Sequence, residues 1–209
     1  NALGKTTFMK VIAGLEKPDD GEVSLKAKVS YKPQYLSSEY DGSVSEFLGS
    51  SGLGYSEEKS QLMSSLGISK LMDKIVGELS GGELQKLAVA SCLMRDAEVY
   101  ALDEPSAFID IEDRIVIGRC IQRFVRAYGK SALIIDHDMQ LIDIVSDSIM
   151  IFSGKAGTQG FSSPPINKSK AMNLFLKDLE ITYRRDYETG RPRVNKVGSK
   201  LDREQKEIG

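Results

Sequence analysis

The sequence has little of what would mark an extracellular or membrane-embedded chain. Only two cysteines occur among 209 residues, Cys92 and Cys120. Both sit inside apolar helical patterns, far from any Cys-x-x-Cys spacing, so they read as reduced core thiols rather than as a disulfide or cluster ligands. No run approaches 18 uninterrupted apolar residues. The first residues also lack the basic start, apolar stretch and small-residue cleavage site of a secretory leader. The expectation is a soluble, cytoplasmic protein with no membrane partner. Histidine is scarcer still, His137 being the only one. Excess charge is missing as well, since 28 Lys and Arg face 30 Asp and Glu for a net charge of -2. That balance hides an asymmetry: residues 184–206 carry eight Lys or Arg against four Asp or Glu. Such a run is either a solvated tail or a contact for a phosphate backbone.

The hydrophobic content of 41% is enough to bury one sizeable core, with room for an appended segment. Periodicity predicts a helix over residues 5–13 stopped by Gly14, a turn at 18–21, and short strands over 22–25 and 28–31. A helix-rich block follows at 45–48, 57–66 and 68–75. An amphipathic helix spans 84–93 after a Gly-Gly pair. Apolar strands are expected at 98–102, 132–135 and 148–152, alternating with helices at 111–128 and 139–145. This alternation predicts a mainly parallel sheet with right-handed crossovers. A loop around 162–165 then precedes a last helix, 171–179, and the basic tail.

Three segments carry chemistry. The chain opens Asn1-Ala2-Leu3-Gly4-Lys5-Thr6-Thr7. Backbone N–H groups at such a helix start can surround phosphates, Lys5 adds a point charge, and the Thr6 hydroxyl can ligate magnesium. Gly-Lys before hydroxyl residues also begins ordinary helices. The run Glu98 to Leu102 delivers two adjacent acids, Asp103 and Glu104, to a strand end. Ligands bind open α/β sheets there, although adjacent acids can equally cap a helix. Finally, Leu79-Ser80-Gly81-Gly82-Glu83-Leu84-Gln85 offers a serine hydroxyl and glycine amides at a helix start, a second place for an anion.

The opening loop resembles the Walker A loop of ATP-binding-cassette (ABC) ATPases, the strand ending in Asp103 and Glu104 their Walker B strand, and the Leu79–Gln85 segment their signature motif, without a mismatch. Gln34, after Ser30-Tyr31-Lys32-Pro33, resembles the Q-loop glutamine, His137 the switch histidine, and residues 105–110 the D-loop. The flanks are similar to subfamily E, the RNase L inhibitor or ribosome-recycling family, and to its second nucleotide-binding half. The most specific part is the tail, Leu179-Glu180-Ile181-Thr182-Tyr183-Arg184-Arg185-Asp186, then Gly190-Arg191-Pro192-Arg193-Val194-Asn195-Lys196.

The resemblance implies an α/β P-loop NTPase of ABC type. It would have a mainly parallel sheet flanked by helices, a helical signature subdomain at about 42–90, a cassette over 1–160, and a C-terminal helix and hinge region over 161–209. It implies Mg2+-dependent ATP hydrolysis. Nucleotide would be held by Asn1, Gly4, Lys5, Thr6 and Thr7, and by Ser80, Gly81, Gly82 and Glu83 for the opposing half. Thr6, Gln34 and Asp103 would hold the metal, and Glu104, His137 and Gln34 would be catalytic. The implied partners are the first nucleotide-binding half, the small ribosomal subunit with its rRNA, and a release or termination factor. Arg184, Arg185, Arg191, Arg193 and Lys196 would brace the hinge or touch rRNA. Against the family pattern, the first Walker glycine, the strand before it and the adenine-stacking aromatic are missing. The chain is therefore expected to be a fragment, weak as an ATPase alone. A cassette from a transporter or another translation factor, and a non-catalytic fragment, remain the alternatives.

Overall fold

Three short strands make the centre of the fold. Strands β1 (Val29–Lys32), β2 (Val99–Asp103) and β3 (Ser131–Ile135) form a parallel sheet in the order β1-β2-β3. Tyr31 pairs with Ala101, and Ala101 with Leu133. Successive side chains alternate between faces, so a strand covered on both sides is mostly apolar, and any polar side chain in it needs a partner. On β2, Tyr100 and Leu102 join one core cluster while Ala101 joins a second with Met9 and Ile135. The computed structural model describes residues 3–34, 40–51, 56–155, 157–177, 183–185 and 192–208. By its internal contacts the chain divides into two units, residues 5–145 and residues 1–4 with 146–209.

In the first unit, helix α1 (Lys5–Ile12) ends as expected. The Leu15 N–H reaches the Lys10 carbonyl at 2.8 Å and the Gly14 N–H the Val11 carbonyl at 3.1 Å, with Gly14 at φ +71°. This is the left-handed cap that only glycine adopts without strain. The helical block consists of α2 (Val44–Ser50), α3 (Glu57–Ser65) and α4 (Gly81–Met94). Helix α5 (Ile111–Ala127) starts on an Asp110 cap and α6 (Met139–Val145) follows β3.

Several sequence expectations change. Residues 22–25 form no strand: they are exposed and no described strand pairs with them, and an unpaired strand gains nothing from β propensity. The expected helix at 68–75 shrinks to a single turn, Ile68–Lys70, entered through Gly67 at φ +72°. Helix α4 is not amphipathic in place. Residues from Leu87 to Met94 are all buried, because the sheet lies on one side and the helical block on another.

In the second unit the expected strand at 148–152 is split. Ser148 and Ile149 (β4) pair antiparallel with Ile166–Asn167 (β7), while β5 (Phe152–Lys155) forms a hairpin with β6 (Gln159–Ser162). Helix α7 (Lys168–Lys177) begins earlier than expected, since the Asn167 side chain accepts the Ser169 N–H at 2.9 Å. The tail contains a further hairpin, β8 (Tyr183–Arg185) with β9 (Pro192–Val194), and a helix, α8 (Lys200–Ile208). Leu179 and Arg191 lie outside the described residues.

Gly154 is needed in the β5–β6 hairpin. It sits at φ +132°, and a Cβ there would collide with the Gln159 carbonyl oxygen. Gly154→Ala is expected to destabilise the hairpin by more than about 1 kcal/mol. Faster amide exchange confined to residues 152–162 would show it, and unchanged exchange there would refute it.

Candidate active site

The parallel sheet sets the site. Its strands all end on one edge, and Gln34, Asp103, Glu104 and His137 occupy the ends or following loops of β1, β2 and β3. Ligands gather at this edge in open parallel sheets because the chain leaves it through loops rather than ladder bonds. Helix α1 brings Lys5 and Thr6 to the same place. The Thr6 hydroxyl donates to Asp103 Oδ2 at 2.8 Å. Gln34 Nε2 donates to Glu104 Oε2 at 2.7 Å. His137 Nε2 lies 3.2 Å from Glu104 Oε1 and 3.4 Å from Lys5 Nζ. A proton on Nε2 would serve Glu104, and a lone pair there would serve Lys5; the ring cannot satisfy both at once.

Six expected residues thus meet: Lys5, Thr6, Gln34, Asp103, Glu104 and His137. Thr7 is exposed on the same helix. Gly4 precedes the helix at φ +81°, and Asn1 lies outside the described residues. The signature residues form a separate group at the start of α4. Ser80 caps the helix: its Oγ accepts the Glu83 N–H at 3.3 Å, and its own N–H donates to Glu83 Oε2 at 2.9 Å. Lys74 Nζ donates to Glu83 Oε1 at 2.8 Å. The Lys74 hydrogen bond, followed by the Ser80 amide, holds the Glu83 carboxyl down to about 2, so it is ionised. Gly81 and Gly82 lie against Phe108, where a Cβ would be 3.3 Å from the Phe108 Cβ and 3.3 Å from its carbonyl oxygen respectively.

Glu104 carries visible strain. It holds φ +46°, a left-handed conformation that costs a non-glycine residue about 1–3 kcal/mol and persists only when surroundings enforce it. Its N–H donates to the Ile135 carbonyl at 2.8 Å, and its own carbonyl accepts Gln85 Nε2 at 2.6 Å. Gln85 is buried in α4, so the signature helix anchors the backbone of the second acid.

Sequence reasoning gave no role to Lys32, Gln85, Ser106 or Asp136. Lys32 is 1% exposed, and its ammonium donates to the carbonyls of Asp103 and Pro33, both at 2.9 Å. In the sequence nothing sets Lys32 apart, since a cation before Pro33 reads as a solvated strand end. Tyr31, beside it, has its hydroxyl pushed above the usual range by burial and by the adjacent Asp103 charge. The donor set suits one metal class. Among the described residues no group of three His, Cys, Asp or Glu could hold an ion. A hydroxyl and one carboxylate in contact, as in Thr6 and Asp103, fit the sparse protein ligation of Mg2+, which keeps several waters and takes phosphate oxygens.

Residues 1–107 match the family model described as ABC transporter. ABC transporter E family member 3 of Arabidopsis thaliana is 40% identical over 141 residues, covering 63% of this chain and 78% of that protein. The chain belongs to the E family of ABC ATPases. An uncharacterized ABC transporter ATP-binding protein of Methanocaldococcus jannaschii is 49% identical over 212 residues, and translation initiation factor RLI1 of Saccharomyces cerevisiae 36%; each covers this whole chain. The chain spans about a third of the length of these two relatives, 35% in each case. The solved structure of an RNase-L inhibitor superposes with a TM-score of 0.90 at 47% identity, covering 100% of this chain and 41% of that one. A model of ribosome-bound archaeal Pelota and ABCE1 gives a TM-score of 0.88 at 47% identity, covering 100% of this chain and 36% of the other. No helix among the described residues is long and apolar enough to cross a membrane, and both cysteines are buried and form no disulfide.

Proposed function

We propose that this chain is one nucleotide-binding half, the second, of a twin-cassette ATPase that uses ATP to dissociate ribosomes into subunits in the cytoplasm. The observation that carries the hydrolytic part is the continuous chain Gln34–Glu104–His137–Lys5 beside the Thr6–Asp103 pair. Lys5 and the amides of Gly4, Thr6 and Thr7 bind the phosphates. Glu104 orients the attacking water and accepts its proton, Gln34 fixes the carboxylate from the far side, and His137 faces the terminal phosphate. When bound, Mg2+ held by Thr6 and Asp103, with the Gln34 amide oxygen alongside, supplies positive charge against the phosphate oxygens.

The signature residues serve the opposing half. Ser80, Gly81, Gly82 and Glu83 make no described hydrogen bond to the Lys5–His137 group, which supports a nucleotide contact outside this site. The helix start at Ser80 presents amides and a hydroxyl to an anion, and Lys74 offsets the Glu83 charge beside them. Each complete site then needs both halves, so closure over two ATP molecules couples binding to a change in shape, and hydrolysis releases it.

The ribosomal part rests on the relatives: a translation initiation factor and an ABC protein seen with Pelota on a ribosome. The β8–β9 hairpin places Arg184 in register with Arg193, which supports a phosphate-binding contact to rRNA near the hinge. A release or termination factor would sit on the same particle. With ATP, the full-length protein should split ribosomes into subunits, in a reaction that weakens steeply with salt. Intact ribosomes in the presence of ATP, ribosome and termination factor would reject the assignment.

A further inference from the structure

Backbone pairing between β2 and β3 stops at Asp103 and Ile135. One residue further on stands Glu104, and two residues further on stands His137. Their 3.2 Å approach is therefore set by two loops that the ladder no longer holds. Left free, each loop residue has its own backbone freedom, and a side-chain pair carried on two such loops would spread over several ångströms. The strained backbone of Glu104 makes the demand stricter, because a left-handed glutamate relaxes unless something holds it.

What holds the loops together is Asp136. Its Oδ1 accepts the Ser106 hydroxyl at 2.7 Å and the Asp138 N–H at 2.8 Å, and its Oδ2 accepts the Ser106 N–H at 3.0 Å. The Glu104 N–H to Ile135 carbonyl bond at 2.8 Å carries the β2–β3 junction one backbone bond past the paired residues, and the Asp136 contacts continue it from there by side chain. A second ring surrounds the first. Arg114 donates to Asp138 Oδ2 at 2.6 Å and to the Ile109 carbonyl at 2.7 Å. Asp138 Oδ1 in turn accepts the N–H groups of Gln140 and Leu141, which seats α6. The loop from Glu104 to Ile109 is thus fastened at both ends to the loop that carries His137. Phe108, at its apex, holds φ +61° and lies against Gly81 and Gly82 of the signature group.

We propose that Asp136 is a positioning residue for hydrolysis, clasping Ser106 so that Glu104 and His137 keep their spacing and the loop under the signature glycines keeps its shape. The inference rests on the reading of Glu104 and His137 as the hydrolytic pair. The bonds described for the Asp136 carboxylate go to Ser106 and Asp138 and not to the phosphate-binding segment, so its removal is expected to act on the rate more than on nucleotide affinity. Charge-assisted bonds from an amide and a hydroxyl to one carboxylate are the strong kind, and both Ser106 bonds go to Asp136. An asparagine there would keep the two bonds to Oδ1 but set its NH2 against the Ser106 N–H, donor to donor.

Steady-state ATP hydrolysis by the full-length protein tests this. Asp136→Ala should lower kcat by ~10-fold or more with KM within about twofold, because a misplacement of the reacting groups is read in the rate. Asp136→Asn and Ser106→Ala should fall between it and the wild type, since each keeps part of the clasp. The double variant Asp136→Ala with Ser106→Ala should be no slower than Asp136→Ala alone, which independent effects would not give. Ser106→Ala removes one hydroxyl and guards against the case in which Asp136→Ala fails to fold. An unchanged kcat for Asp136→Ala or Ser106→Ala, alongside an inactive Glu104→Gln control, overturns the clasp and leaves the hydrolytic pair standing. Full activity of the Glu104→Gln control instead removes the reading beneath it.

Discussion

Replacing Glu104 by glutamine in the full-length protein is expected to cut ATP turnover by ~10²–10⁴, the range that a positioned general base contributes. Nucleotide binding should survive. The groups proposed to hold the phosphates, Lys5 and the amides at the start of α1, are untouched, and glutamine is nearly isosteric with glutamate. Gln34 Nε2 donates to Glu104 Oε2 at 2.7 Å, so the new side chain still has an oxygen to offer that partner. What it loses is the negative charge and the capacity to take a proton from water. The variant should therefore accumulate bound ATP, visible as slow release of labelled nucleotide after rapid dilution. Turnover like that of the wild type would remove Glu104 from the reaction. Loss of binding together with turnover would make it a scaffold of the site.

The second large effect lies under the site. Burial pushes the Lys32 ammonium down from its usual 10.5 to about 8, against the opposing pull of the Asp103 charge. Between about pH 8 and 10.5 the unfolded chain then binds a proton that the folded chain has given up. Stability contributed by Lys32 accordingly rises with pH across that window, is complete above 10.5, and is lost as pH falls through 8. The span of the shift corresponds to roughly 3 kcal/mol. Other groups slope the opposite way. The Cys120 thiol is pushed up to about 11 by burial, so its contribution falls as pH rises. Comparison with Lys32→Met isolates the one term: in urea unfolding of nucleotide-free protein with chelator, wild type should gain on the variant from pH 7.5 to 10.5. Parallel pH curves for the two proteins would show that the buried ammonium titrates as in water.

Lys32 also shows why part of the site was hidden. In the sequence it is one cation between Tyr31 and Pro33, indistinguishable from a solvated strand end. Only the parallel register of β1 on β2 puts its ammonium under the Asp103 carbonyl. Gln85 and Asp136 stood inside quoted motifs without a task for the same reason. Their partners, Glu104 and Ser106, are 19 and 30 residues away along the chain.

Local chemistry was legible wherever a residue acts through its near neighbours. Gly14 ends α1 as its place in the sequence predicts, and the Ser80–Glu83 box on α4 and the Asp110 cap on α5, found only in the structure, also act within one helical turn. The apolar runs of β2 and β3, and the order of Lys5, Gln34, Ser80, Asp103 and His137 along the chain, were equally plain. Period and motif are properties of neighbouring residues, and the sequence determined them alone. Pairing is not such a property. Whether residues 22–25 or 148–152 would find a partner strand, how α4 came to be covered on all sides, and what holds Glu104 within 3.2 Å of His137 were decided by segments far apart in the chain. Those outcomes depend on which buried surfaces and polar groups meet, and only the folded chain brings them together.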